Sequence, residues 1–154
     1  MKHTISYKKR YLKKCKIKRE FRNYLINKSL VEVNNEFIKQ PVHLILYSSS
    51  KLVKELWFWL KGHSDKHAKS FIVIFNKEIV TEKQMEEHVW ILLSKIAKLH
   101  ALNIQVSKET SFPSFSFYLQ ENRFSVETMY PLSPCGTKRA PYPAIVFTKI
   151  ENSL

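Results

Sequence analysis

Four side chains with usable chemistry stand close together in the chain: Tyr130, Cys135, Lys138 and Arg139. A thiol or phenol beside cations gives up its proton more readily, because positive charge favours the anion, and the anion is the form that binds a metal. Lys138 and Arg139 are placed to supply that charge. A second group is Glu82 and Glu86, four residues apart and therefore on one face of a helix. A third, His63, Asp65 and His67, has the residue types of a zinc site, but its spacing fits no closed site and further ligands would have to come from afar. Each group has a plainer role as well. Tyr130 reads equally as a core or rim aromatic, Cys135 as a bystander and Lys138-Arg139 as a solvated turn. Glu82, in a first helical turn, complements the helix dipole.

The elements that must position these residues are legible from periodicity. Phe115–Leu119 and Phe124–Tyr130 alternate apolar with polar residues around Gln120-Glu121-Asn122-Arg123, the pattern of a hairpin of half-buried strands. The irregular stretch Pro131–Pro143 follows, with four of the six prolines and one of the two glycines, and then the apolar run Ala144–Phe147. Loops held on a rigid sheet are where chemistry usually sits. Val42–Tyr47 reads as a buried strand. Ser48-Ser49-Ser50 then offers a cap for a short helix through Trp59 that Gly62 ends. Phe71–Phe75 is the most apolar strand and is expected at the centre of the sheet. Thr81 and Gln84 have capping-box spacing, and Met85, Val89, Leu92, Ile96 and Leu99 follow at helical intervals, predicting a helix over 82–101. Residues 7–28 place Tyr11, Cys15, Phe21 and Leu25 roughly on one helical face, the first six residues are expected to be loose, and 29–40 form a polar connector. The order predicts a single α+β domain with a mostly antiparallel sheet and helices packed on one face. Residues 1–28 are its basic helical arm and 29–154 its body.

Composition narrows the function classes. The chain has 154 residues, 44% hydrophobic and 25% charged, enough to bury a core without staples. With two glycines there is neither GxGxxG nor GxxxxGK[ST], so a Gly-rich phosphate loop is excluded. Two cysteines outside any CxxC make no disulfide framework. No stretch approaches the apolar length of a membrane span, nothing at the N-terminus resembles a signal peptide, and a cytoplasmic location is the default. The net charge of +13 is concentrated: residues 2–23 hold ten Lys/Arg against Glu20 alone. Such an arm attracts phosphates or acidic surfaces, with Tyr7, Tyr11 and Phe21 available for stacking, unless it is simply a solvated face.

From Ser70 onward several pieces resemble the YqcI/YcgG family, whose best-understood members are haem-dependent N-hydroxylases of guanidine groups. The strand Phe71–Phe75 precedes Glu82…Glu86…Trp90-x-x-Leu93, similar to the family's E-x-x-x-E-x-x-x-W-x-x-L. Phe115-Ser116-Phe117 resembles its FSF strand, and Pro131…Lys138-Arg139…Pro143-Ala144-Ile145-Val146-Phe147 its H-P…R-R…P-A-L-V-F. The match is strongest over 70–147. The chain departs from the pattern with Tyr130 for the family's His, Lys138 for its first Arg and Thr148 for its Asn. The family's long polar C-terminal portion has no counterpart after Leu154, so the resemblance implies a short, divergent member.

The resemblance implies haem as cofactor, with Tyr130 or Cys135 as the iron ligand and Lys138 and Arg139 on the propionates. It also implies a small guanidino or amino-acid substrate, whose guanidinium Glu82 and Glu86 would hold by charge-assisted hydrogen bonds. The alternative is a non-catalytic basic protein that binds nucleic acid or an acidic partner through residues 2–23. That reading expects deletion of 1–23 to abolish binding and leave the fold intact. A homodimer is compatible with either.

Overall fold

Apolar residues on both sides of one strand set the layering. The computed structural model describes residues 2–31, 42–62, 69–76, 81–100, 105–106, 114–119, 122–133 and 139–150. Its elements run α1 (Lys2–Val31), β1 (Val42–Leu46), α2 (Leu52–Leu60), β2 (Ser70–Ile74), α3 (Glu82–His100), β3 (Gln105–Val106), β4 (Ser114–Leu119), β5 (Asn122–Met129) and β6 (Ala144–Ile150). The six strands form one sheet in the order β1-β2-β6-β5-β4-β3. β1 and β2 are parallel, joined through α2, and the other four pairings are antiparallel. The chain is thus the expected α+β domain with a mostly antiparallel sheet.

Every residue of β2 is buried, as expected for the most apolar strand, because helices cover it on both sides. Phe71, Val73 and Phe75 join α2 and α3 in a cluster that includes Leu56, Trp59, Met85, Val89, Leu92 and Ile96. Ile72 and Ile74 face the other way and join Leu44, Leu46, Ala144 and Val146 beneath Ile17, Phe21 and Leu25 of α1. The single helical face expected from sequence therefore describes α2 and α3, while α1 covers the opposite side. Each fully buried Leu, Ile or Phe contributes about 1.5–3 kcal/mol by removing apolar area from water. The repulsion between lysines four apart on the same helix is about 0.2–0.5 kcal/mol per pair. Docking wins, and α1 belongs to the core.

Local signals explain the element ends. Thr81 N–H donates to Gln84 Oε1 (3.2 Å) and Gln84 N–H donates to Thr81 Oγ1 (3.1 Å), the reciprocal bonds of the predicted capping box at α3. Gly62 adopts φ +78° just after α2, a conformation that favours glycine. The serine cap is displaced: Lys51 holds the N-cap position without a side-chain bond, and Ser49 Oγ instead accepts the Lys51 N–H (3.2 Å), two residues too early to serve the helix. α1 begins at Lys2, so the first residues are helical rather than loose. The hairpin pairs Leu119 with Asn122 and Tyr118 with Arg123, so Asn122 and Arg123, expected in the turn, belong to β5. Leu99, assigned to the buried stripe of α3, is 68% exposed in its last turn. Among the described residues no helix is long and apolar enough to cross a membrane.

Candidate functional site

The described residues of the loop after β5 divide between the two layers. Tyr130 is 4% exposed and packed into the cluster beneath α2 and α3. Arg139 lies with the α1 side: its carbonyl accepts the Tyr24 O–H (2.7 Å), and its neighbour Ala140 is buried under α1. The Arg139 side chain is committed within the loop, with Nε donating to the Ser133 carbonyl (2.7 Å). Cys135 and Lys138 lie outside the described residues. A haem needs a cleft of about 300–1,000 Å³ with a ligand facing into it. Of the two described groups, the phenol is enclosed in the core and the guanidinium donates to its own loop. Glu82 and Glu86 are half-buried on α3, and Glu82 sits in the first turn, where it complements the helix dipole. His63, Asp65 and His67 lie outside the described residues.

The loop instead buttresses α1. Tyr142 donates its O–H to the Glu20 carboxylate, which also lies 3.7 Å from Lys16 Nζ. The hydrogen bond to Glu20, with burial and the carboxylate charge adding to it, pushes the Tyr142 phenol up to about 12. The Tyr24 and Tyr142 bonds hold the flank of α1 that carries Glu20.

What this clamp leaves outward is cationic. Ile17, Phe21 and Leu25 recur every four residues and point to the sheet; Arg19 lies opposite them, Lys16 and Arg22 lie to the sides, and Lys13, one turn before Ile17, is exposed as well. Cys15, which the sequence places on the apolar face, is exposed. The reason is register: counted from Phe21 at the centre of the stripe, position 15 lies about 120° round the helix, on its flank rather than against the sheet. The ion pairs found among the described residues are Lys16–Glu20 and His43–Glu55, so Lys13, Arg19 and Arg22 pair with no acid among those residues. Beyond the reach of α1, on the same face of the sheet, Tyr118 is 42% exposed with the Arg123 guanidinium 5.9 Å from its ring centre.

On its other flank α1 forms a cleft of about 240 Å³ with the end of β1, lined by Lys14, Cys15, Lys18, Ile45, Leu46 and Ser49. On the far side of the sheet the same end is closed by aromatic packing: Tyr47 stacks on Phe75 (4.4 Å between centroids), and His88 meets both rings. Burial there raises the Tyr47 phenol above its ordinary value. The carboxyl ends of parallel strands are where open sheets commonly bind ligands, and here the open side is the one facing Lys14 and Lys18. Sequence reasoning missed Lys14, Lys18 and Ser49. The available signal was Lys-x-x-x-Lys flanking the Ile17 stripe, together with the serine turn after an apolar strand.

No family of proteins, no curated protein and no solved structure matches the chain, so the likeness to the YqcI/YcgG family rests on the residues quoted for it alone.

Proposed function

We propose that the protein is a non-catalytic nucleic-acid-binding protein that uses α1 as a fixed basic ridge. The observation that carries this reading is the pinned helix: Ile17, Phe21 and Leu25 lock it to the sheet while Lys13, Arg19 and Arg22 project outward without acidic partners among the described residues. At about 1.5 Å rise per residue, 30 residues make a helix long enough to meet many successive phosphates. Fixing the cations beforehand spares the ordering entropy that a disordered arm loses on binding. Tyr118 and Arg123 on the uncovered part of the sheet add a stacking surface for exposed bases.

The test is fluorescence anisotropy with labelled single- and double-stranded oligonucleotides and with polyglutamate of matched charge. The expected result is oligonucleotide binding that weakens steeply with salt and polyglutamate binding that is clearly weaker. Equal affinity for polyglutamate would move the assignment to an acidic protein partner. Binding that is indifferent to salt would remove the ridge from the function altogether.

A further inference from the structure

We propose that the cleft between α1 and the end of β1 is a binding site for a phosphate monoester, separate from the outward ridge. Lys14 and Lys18 stand one helical turn apart on the flank of α1 that borders this cleft. Side chains at that spacing are about 5–6 Å apart at Cβ, so one dianion fits between two ammonium groups and relieves their mutual repulsion. Neither lysine has an ion-pair partner among the described residues. A lysine ammonium is a compact point charge with three donors, and lysines commonly bind phosphate in this way.

The rest of the lining fits an ester rather than inorganic phosphate. Ser49 Oγ accepts the Lys51 N–H (3.2 Å), which leaves its own O–H free to donate to a phosphate oxygen. The Cys15 thiol is exposed at the same cleft. Leu46 supplies an apolar wall, and about 240 Å³ exceeds what a phosphate group alone would fill. A carbon body of about the size of a sugar is therefore accommodated beside the anion. Such a monoester has two sources, the 5′-phosphorylated end of a nucleic acid or a free phosphorylated small molecule.

Cys15 supplies the reporter. Iodoacetamide is neutral, so its rate with Cys15, read by mass spectrometry of the digested protein, reports whether the cleft is filled. Glycerol 3-phosphate and a 5′-phosphorylated dinucleotide are the probes; glycerol and the 5′-hydroxyl dinucleotide are the controls. A phosphorylated probe is expected to slow Cys15 alkylation at least fivefold at saturation, with the controls inert. The Lys14→Gln/Lys18→Gln variant, its helix checked by circular dichroism, is expected to lose that protection. Protection by the dinucleotide alone assigns the site to nucleic-acid ends, and protection by glycerol 3-phosphate assigns it to small esters. Either result supports a monoester site. No protection, protection that survives the double variant, or equal protection by the 5′-hydroxyl dinucleotide would overturn it. The ridge fails separately: Arg19→Gln/Arg22→Gln weakens oligonucleotide anisotropy and leaves Cys15 protection by glycerol 3-phosphate intact.

Discussion

Replacing Arg19 and Arg22 together by glutamine tests the ridge through a slope rather than a single affinity. Both residues are exposed on the outward side of α1, away from Ile17, Phe21 and Leu25. Surface changes of this kind alter stability by no more than about 0.5 kcal/mol, so lost binding would not reflect unfolding. Each phosphate contact contributes about 0.9 to the slope of log affinity against log salt on duplex and about 0.7 on a single strand. Removing two contacts therefore flattens the slope by about 1.8 on duplex or about 1.4 on a single strand. Between about 50 and 200 mM salt the ratio of wild-type to variant affinity then shrinks about twelvefold on duplex and about sevenfold on a single strand. Anisotropy titrations at four salt concentrations measure this directly, and the size of the change also tells which form of nucleic acid is held. A slope unchanged within about 0.5, in a variant with wild-type circular dichroism, would show that these arginines meet no phosphate.

Other perturbations probe the frame and the alternatives. Phe21→Ala, at a side chain with 0% exposure, is expected to cost about 3–5 kcal/mol in urea unfolding; a cost below about 1 kcal/mol would mean that α1 is not docked. Thr81→Ala removes one half of the capping box and is expected to cost about 1 kcal/mol in the same assay, with no change in nucleic-acid binding. The Tyr142 phenol, followed by absorbance at 295 nm, is expected to titrate near 12, and Glu20→Gln should return it toward 10. Because the folded value is raised, the stability from this bond is fully present below the unfolded value of 10.0 and is lost as pH rises through about 12. Hemin titration is expected to give no Soret band that depends on Tyr130, since its ring is enclosed in the core. A saturable band abolished by Tyr130→Phe would restore the haem reading.

The legible parts of the fold are those whose signals are local. Thr81 and Gln84 cap α3 through bonds spanning three residues, Gly62 ends α2 through its own φ, and the apolar run in β2 needs only two covered faces to be explained. The stripe of α1 was not legible in the same way. Cations surround it, and Cys15 competes with Ile17 as a partner for Phe21 and Leu25. The choice is made by Leu44, Ile72 and Val146, which are distant in sequence. β3 has two residues, too few for any period to show. The loop after β5 was rightly singled out as irregular, but its chemistry was not readable from composition. Tyr142 meets Glu20 across 122 positions, and only the docked helix shows that the loop is a buttress.

A basic helix in a lysine-rich chain is ordinarily a solvated surface, and α3 shows what such a surface looks like in this protein. It carries three acids, Glu82, Glu86 and Glu87, against three bases, Lys83, Lys95 and Lys98, so its exposed faces are balanced in sign. Solubility alone asks for no more than that mixture. α1 departs from it, because its one acid in residues 2–23, Glu20, lies on the flank next to the loop, where it accepts the Tyr142 hydrogen bond and pairs with Lys16. Among the described residues no carboxylate pairs with Lys13, Arg19 or Arg22. On the proposed reading, the cations that Glu20 does not pair with make a fixed field that a polyanion would complete. The same geometry explains why residues 1–23 cannot be removed as a separable arm: deleting them takes Ile17 and Phe21 out of the core and exposes Ile72, Ile74 and Val146 to water. The deletion is therefore expected to abolish binding by unfolding the domain, with loss of the cooperative unfolding transition. A truncated protein that still unfolds cooperatively would return α1 to the status of a dispensable tail.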